Sequence, residues 1–589
     1  MKLRQPVSYC AVGSVFWLSN HVVEAGSYHF STEPVFAWKA DPYQWITEKD
    51  TELGVRANLL LVRMAQNEWE HAAFALTNNT DAARSLRIGV HGDGISDSAF
   101  ELRKVVMFEG ARKGVSWLGW ADNESWIKPE LLEDIDGVFE LKAHTTAHVW
   151  VTVHSRDLAG GEYRAWVRIL KAQDKSEVIR IPLKIEVWPF RLPEKSGLVL
   201  SNRATVPGPP RLAEDVARLL AEHHVNVARF EVPPLKNGEL DADRNDWRER
   251  LKIARKWGIR PSLDAEHEEV TVANIARLEP AMGELGIKDW YIYVSNERSW
   301  EKFEPLWERF RGIRKVAPSA KMYHSLWFDT RWDKAGPGLA TLQGYVDLWY
   351  LFRHYCLSDV FHGTRWKDWP KEMCDLLVEQ QKKGKEVIFY QNTRRACNYR
   401  GAALAWERCN GWYVWDYGFD GHACWTDDSV PHADVANEKD QDKVFQLPPE
   451  RQSISTYYYV RPLGDNRYRV LSCKRLEAWR DSVQDYLYLL ILDDLLEQAE
   501  ASGKPELRAL AKQGRATIDD AIEEIRLHVD EYYAFSSAKR RCALEIIKLT
   551  QAGLAPRTNP DGTIKRHRQY RPEKVYAPEE GGIPHPYSG

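Results

Sequence analysis

From residue 198 to residue 416, short runs of apolar, β-branched and aromatic residues alternate with helix-length amphipathic stretches, and few folds accept that rhythm. Strands are predicted at 198–202, 226–231, 260–264, 290–294, 321–327, 346–351, 387–391 and 411–416. Helices are predicted at 211–223, 247–257, 272–285, 302–316, 371–383 and, briefly, 402–409. Eight strands with most of their helices imply a (β/α)8 barrel of the TIM type, in which chemistry gathers at the C-terminal ends of the strands. The rhythm weakens between the fifth and sixth strands, where 333–338 reads as a loop, and again after the eighth.

The flanks read differently. Alternating segments at 72–77, 86–90, 148–153, 163–169 and 178–187, with no convincing helix between them, predict a β-sandwich, closed by the proline-bearing connector 188–193. Leu476, Trp479, Val483, Tyr486, Leu487 and Leu490 recur at helical spacing and predict a last barrel helix at 474–499. Helices at 505–513 and 518–529, running on to 549, form an extension that admits two roles, covering the barrel or holding two copies of the chain together. The tail from 558, rich in Pro, Gly and Arg, is expected to be poorly ordered or draped. The expected division is therefore 1–25 leader, 26–193 sandwich, 194–499 catalytic barrel, 500–557 helical extension and 558–589 tail.

Composition narrows the partners. A net charge of −4 with both signs interspersed gives no basic face for nucleic acid. Eight cysteines without a CxxC pair, and the absence of HExxH, give no metal spacing, so neither a metal nor a cofactor is expected. Twenty-five tryptophans against 18 phenylalanines point to carbohydrate, because indole faces stack on the C–H faces of sugar rings. The N-terminus admits two readings. Lys2 and Arg4 before an apolar run, with Val23-Glu24-Ala25 ahead of Gly26, resemble a secretory leader and a periplasmic or secreted protein; Ser8 and Ser14 interrupt the run, which fits a cytoplasmic one. No other stretch is long and apolar enough to span a bilayer.

The predicted strand ends carry the candidate site. Asn296-Glu297 follows the aromatic fourth strand, and Glu297 is the candidate general acid, against the plainer reading that it pairs with Arg298 or caps a turn. Asp264, His324, Trp327, Tyr390, Gln391, Trp415 and Asp416 are the candidate substrate-binding residues: carboxylates for protons, aromatics for stacking, amides for hydroxyls. Each carboxylate beyond Glu297 is more often structural than catalytic, and a lone histidine such as His324 is more often a packed residue than a base.

Several segments together resemble glycoside hydrolase family 123 and its relatives. Met64-Ala65-Gln66-Asn67-Glu68-Trp69-Glu70, Phe36-Ala37-Trp38-Lys39-Ala40-Asp41-Pro42 and the run from Leu183 to Pro193 resemble its sandwich domain. The run from Arg475 to Leu489 resembles its closing barrel helix. The resemblance covers roughly residues 30–495 and implies a β-N-acetylgalactosaminidase-like hydrolase using substrate-assisted catalysis, in which an adjacent Asp-Glu pair steers the 2-acetamido group and transfers the proton. The matching positions here are Asn296 and Glu297, so the acid is kept and the aspartate is not. An asparagine orients an amide but supplies no charge to an oxazolinium ion. Three functions are expected on these grounds: a hydrolase of β-linked hexose or N-acetylhexosamine; a retaining or inverting glycosidase on sugars without the acetamido group, using Asp264 or Asp416 as second carboxylate; or a carbohydrate-binding protein on a decayed barrel.

Overall fold

The computed structural model describes residues 33–51, 54–110, 126–206, 210–266, 270–296, 303–326, 339–352, 371–392, 404–425, 457–464 and 467–566. Its N-terminal part is two facing sheets. One has seven strands in the order Val35–Ala40, Trp69–Asn78, Thr146–His154, Phe100–Gly110, Trp126–Asp134, Arg467–Cys473 and Tyr459–Gly464. The other has five, in the order Leu60–Gln66, Glu177–Arg191, Gly161–Lys171, Arg84–Gly92 and Phe139–Leu141. Period-two alternation sends Phe74, Val149 and Val151 from one sheet, and Val167, Ile169, Ile181 and Leu183 from the other, into a shared core.

Eight parallel strands then close a barrel: Val199–Thr205, Val227–Glu231, Arg260–Asp264, Tyr291–Asn296, Lys321–Leu326, Leu348–Phe352, Glu386–Asn392 and Gly421–Trp425. The seam is made by the first and eighth strands, Val199 opposite Gly421 and Ser201 opposite Ala423. At Gly421 a Cβ would coincide with the Val199 carbonyl, so the seam admits glycine there. The eighth strand is not the predicted one. Residues 411–416 belong to a helix, Cys409–Tyr417, which follows a single π-helical turn, Leu404–Arg408. All nine of its residues are buried, so the chain there carries no polar stripe to mark a helical period. Its end is marked by Gly418 in the left-handed conformation (φ 72°).

The molecule is organised around the helix Lys474–Ala501, whose residues 474–496 are all buried. It packs on the Cys409–Tyr417 helix, on the seven-stranded sheet, and on the two C-terminal helices, Pro505–Leu527 and Tyr532–Gln551. The segments 64–70 and 475–489 meet here. Gln484 clasps the Trp69 backbone, accepting from its N–H (2.9 Å) and donating to its carbonyl (2.8 Å), while the Arg480 guanidinium lies 4.6 Å over the Trp69 ring. Glu477 accepts from Arg103 (2.5 Å), Ser472 (2.7 Å) and Arg480. Arg408, on the π-turn, reaches Asp485 (3.0 Å) and Asp481 (3.2 Å), and Lys539 reaches Glu68 (2.7 Å) and Glu70. Burial alone would raise the Glu477 carboxyl, but Arg103, Arg480 and His223 override it and hold the group well below the usual carboxylate range. The described part of the tail drapes over the barrel: Ile564 is buried, and Arg566 binds Asp420 and the Gly418 and Phe419 carbonyls. No described helix is long and apolar enough to cross a membrane.

Candidate active site

Inside the barrel, Val199, Val227, Tyr291, Tyr293, Tyr323, Leu348, Tyr350, Ile388, Tyr390 and Ala423 form a core separate from the one outside it. Since side chains alternate along a strand, these residues fix which others face inward. The interior ends at the N-terminal side in a closed set of charges. Arg260 donates to Tyr291 (2.8 Å), Tyr291 donates to Glu386 (2.9 Å), and Lys321 pairs with Glu386 (2.9 Å) and Asp289 (3.1 Å). That end is plugged by groups that satisfy one another.

The C-terminal end is built differently. Arg229 is two residues beyond the inward Val227 and pairs with Asp264 at 2.6 Å. Asp264 is two residues beyond Ser262, whose hydroxyl meets the Tyr323 hydroxyl at 2.7 Å. Asp264 also accepts the Glu266 N–H (3.1 Å), which orders the chain leaving the strand. Tyr293 and Ser325 share a hydrogen bond of 2.8 Å, and Tyr390 stacks on Tyr350 at 4.6 Å and 13°. A buried ion pair contributes little net stability, since desolvation offsets its attraction. The pair therefore makes better sense as a held carboxylate at the mouth, ringed by phenols and hydroxyls.

Asn296 ends the fourth strand, its backbone opposite Ser325 and directly after a register shift between Tyr293 and Ser295. Such shifts re-aim the residues beyond them and recur beside active sites. Glu297 and Trp327 lie outside the described residues. Of the other candidates, Asp264 and Tyr390 face the barrel interior, and four do not. His324 is flanked by the inward Tyr323 and Ser325 and turns outward, edge-on to Phe310 of the Phe303–Val316 helix (5.9 Å, 73°). Gln391 also turns outward and donates to Glu407 of the π-turn (2.9 Å). Trp415 and Asp416 stand on the helix that returns the chain to the start of the eighth strand, away from the mouth. Trp415 packs among Tyr486, Leu490 and Arg566, and Asp416 accepts from Arg526 (3.3 Å). Reading 411–416 as a strand placed these two at the wrong end of the barrel. Arg229 was missed, although an arginine between Ala228 and Phe230, in phase with Val227, is the sequence sign of a cation inside a barrel.

No family model matches the chain, and no curated protein matches it. Among solved structures, a family 123 glycoside hydrolase from Clostridium perfringens, studied for glycolipid glycan hydrolysis, superposes with a TM-score of 0.60 at 10% identity. The match covers 88% of this chain and 99% of that one, so the two share an overall architecture. A β-glucuronidase from Bacteroides uniformis matches at a TM-score of 0.24 and 12% identity, covering 68% of this chain and 46% of that one, too loosely to bear on the site.

Proposed function

We propose that this protein is a glycoside hydrolase that releases a β-linked hexose or N-acetylhexosamine from a glycan. The observation that carries the reading is the architecture shared with a family 123 glycoside hydrolase over 88% of the chain. Glu297 protonates the glycosidic oxygen and then, as carboxylate, takes a proton from water. Asn296 hydrogen-bonds the 2-substituent. Asp264, held by Arg229 inside the mouth, is favoured over Asp416 as the second carboxylate, because Asp416 is engaged by Arg526 away from the mouth. Tyr390, buried and stacked on Tyr350, shapes the floor of the pocket, and Trp327 is the candidate for stacking on the sugar. The glycolipid glycan of the Clostridium perfringens enzyme is the first natural substrate class to try.

The test is hydrolysis of aryl β- and α-glycosides, with and without a 2-acetamido group, by wild type, Glu297→Gln and Asp264→Asn. Turnover of a β-acetamido sugar, lowered about 10²–10⁴-fold in Glu297→Gln, is the expected result. Turnover confined to 2-hydroxy sugars and lost in Asp264→Asn supports the two-carboxylate mechanism instead. Binding by calorimetry without turnover of any substrate, glycolipid glycans included, overturns the enzyme in favour of a carbohydrate-binding protein.

A further inference from the structure

The outward face of the five-stranded sheet has a composition that packing does not explain. Trp166, at the middle of the Gly161–Lys171 strand, is only partly buried and belongs to none of the hydrophobic clusters. Its neighbours along the strand, Ala165 and Val167, point the other way into the sandwich core. Across the sheet Trp166 stands opposite Pro182 on one side and His91 on the other, both exposed. Leu61, 39% exposed, is on the same face one row along, opposite Lys184. Gly89, diagonal to Trp166, adds no side chain, and a Cβ built there would meet only the His91 ring at 3.4 Å. The indole is thus partly open to solvent on this face.

The charges around this strip are unevenly neutralised. Lys184 pairs with Glu162 (2.6 Å), Arg63 with Glu186 (3.1 Å), and Arg168 and Arg180 both with Glu177 (2.9 and 3.0 Å). Each of these acids is already engaged. Arg164 and Arg87 are exposed, face the same way, and make no ion pair with a described residue. Arg164 is two residues from Trp166 on the same face of one strand, about 7 Å along it. A partly exposed indole with a flanking unneutralised guanidinium offers two contacts in one reach. The polarised C–H groups of a sugar ring meet the negative face of the indole, and the guanidinium takes a planar anion in a forked pair.

We propose that this face is a binding site for acidic glycans: a pyranose ring rests on Trp166, and its carboxylate or sulfate group is held by Arg164, with Arg87 extending the positive rim toward the next residue of the chain. The site is separate from the barrel mouth and does not depend on the chemistry there.

Native gel electrophoresis of the full-length protein through polygalacturonate, chondroitin sulfate or dextran tests it. Wild type should be retarded by at least one acidic polymer and not by dextran, with the retardation falling as salt is added. Retardation by polygalacturonate alone assigns the anion as carboxylate, and by chondroitin sulfate alone points to the sulfate; either supports the site. Trp166→Ala should weaken binding about tenfold or more, and Arg87→Ala/Arg164→Ala should abolish it, at an unchanged unfolding temperature because these side chains lie outside the cores. No retardation of wild type, equal retardation by dextran, or wild-type binding by Trp166→Ala overturns the proposal.

Discussion

His324 separates position from role at the scale of one residue. It ends up near a barrel strand tip, yet the alternation of Tyr323 and Ser325 turns it into the layer between strand and helix, 2% exposed against Phe310. Burial pushes its imidazole down from the ordinary 6.5 to about 4. The folded protein therefore refuses a proton that the unfolded chain accepts. The stability is fully present above pH 6.5 and is lost as pH falls from 6.5 toward 4, by up to about 1.4 kcal/mol per pH unit from this residue. Burial also lowers His148, His154 and His224, which act in the same direction. Urea unfolding of wild type and His324→Gln between pH 7 and 4.5 measures this, and the variant should show the shallower loss of stability; equal slopes would assign the pH dependence to other groups. Asp264 was legible because a carboxylate at a strand tip is visible in one short run, whereas its partner Arg229 becomes meaningful only when the barrel closes and the interior side of each strand is known.

Among elements, the Cys409–Tyr417 helix is where local reading fails, and its failure has a cause. Gly-Trp-Tyr-Val-Trp has the composition of a strand, and tertiary packing on every side removes the polar face that would betray a helix. The same total burial hides nothing at 387–391, which lies within the observed strand Glu386–Asn392, because Val-Ile-Phe-Tyr covered on both faces is still a short apolar run. The predicted pair 505–513 and 518–529 is one continuous helix, Pro505–Leu527, because Gly514 serves packing and does not break the chain: its missing Cβ makes room for Leu496. Gly411 does the same more severely. The Gly411 N–H donates to Ser482 Oγ (2.7 Å), and a Cβ there would coincide with the Ser482 carbonyl of the Lys474–Ala501 helix. Gly411→Ala should therefore force the two helices apart at a cost of about 3 kcal/mol or more. Gly283→Ala, in a helix with open space around it, should be neutral or stabilising by up to about 1 kcal/mol. Denaturation midpoints of the two variants check the contrast.

For the molecule as a whole, the question is whether sandwich and barrel are separable. Interfaces between domains are by default polar enough to let them move. Here the hairpin Tyr459–Gly464 and Arg467–Cys473 carries the chain back from the barrel to the seven-stranded sheet, where Cys473 pairs with Leu131, and the central helix, buried over 474–496, begins at the next residue. Glu477 sits where the parts converge: Arg103 comes from the sandwich, His223 from the end of the first barrel helix, and Arg480 from its own helix. Arg103 and Glu477 lie 374 positions apart, so no local pattern announces the pair. Each charge was costly to bury and is offset chiefly by the others, so removing Glu477 leaves Arg103 with only Glu101 at 3.5 Å and the Thr152 hydroxyl. Glu477→Ala should lower stability by about 3–5 kcal/mol and should do so for sandwich and barrel together, since the arginines it leaves uncompensated belong to both sides of the junction. Calorimetry of the full chain should show one unfolding transition in wild type, shifted as a unit in the variant. Two resolved transitions in wild type, or a shift confined to one of two, would mean that the domains hold themselves together and that the central helix merely lies between them.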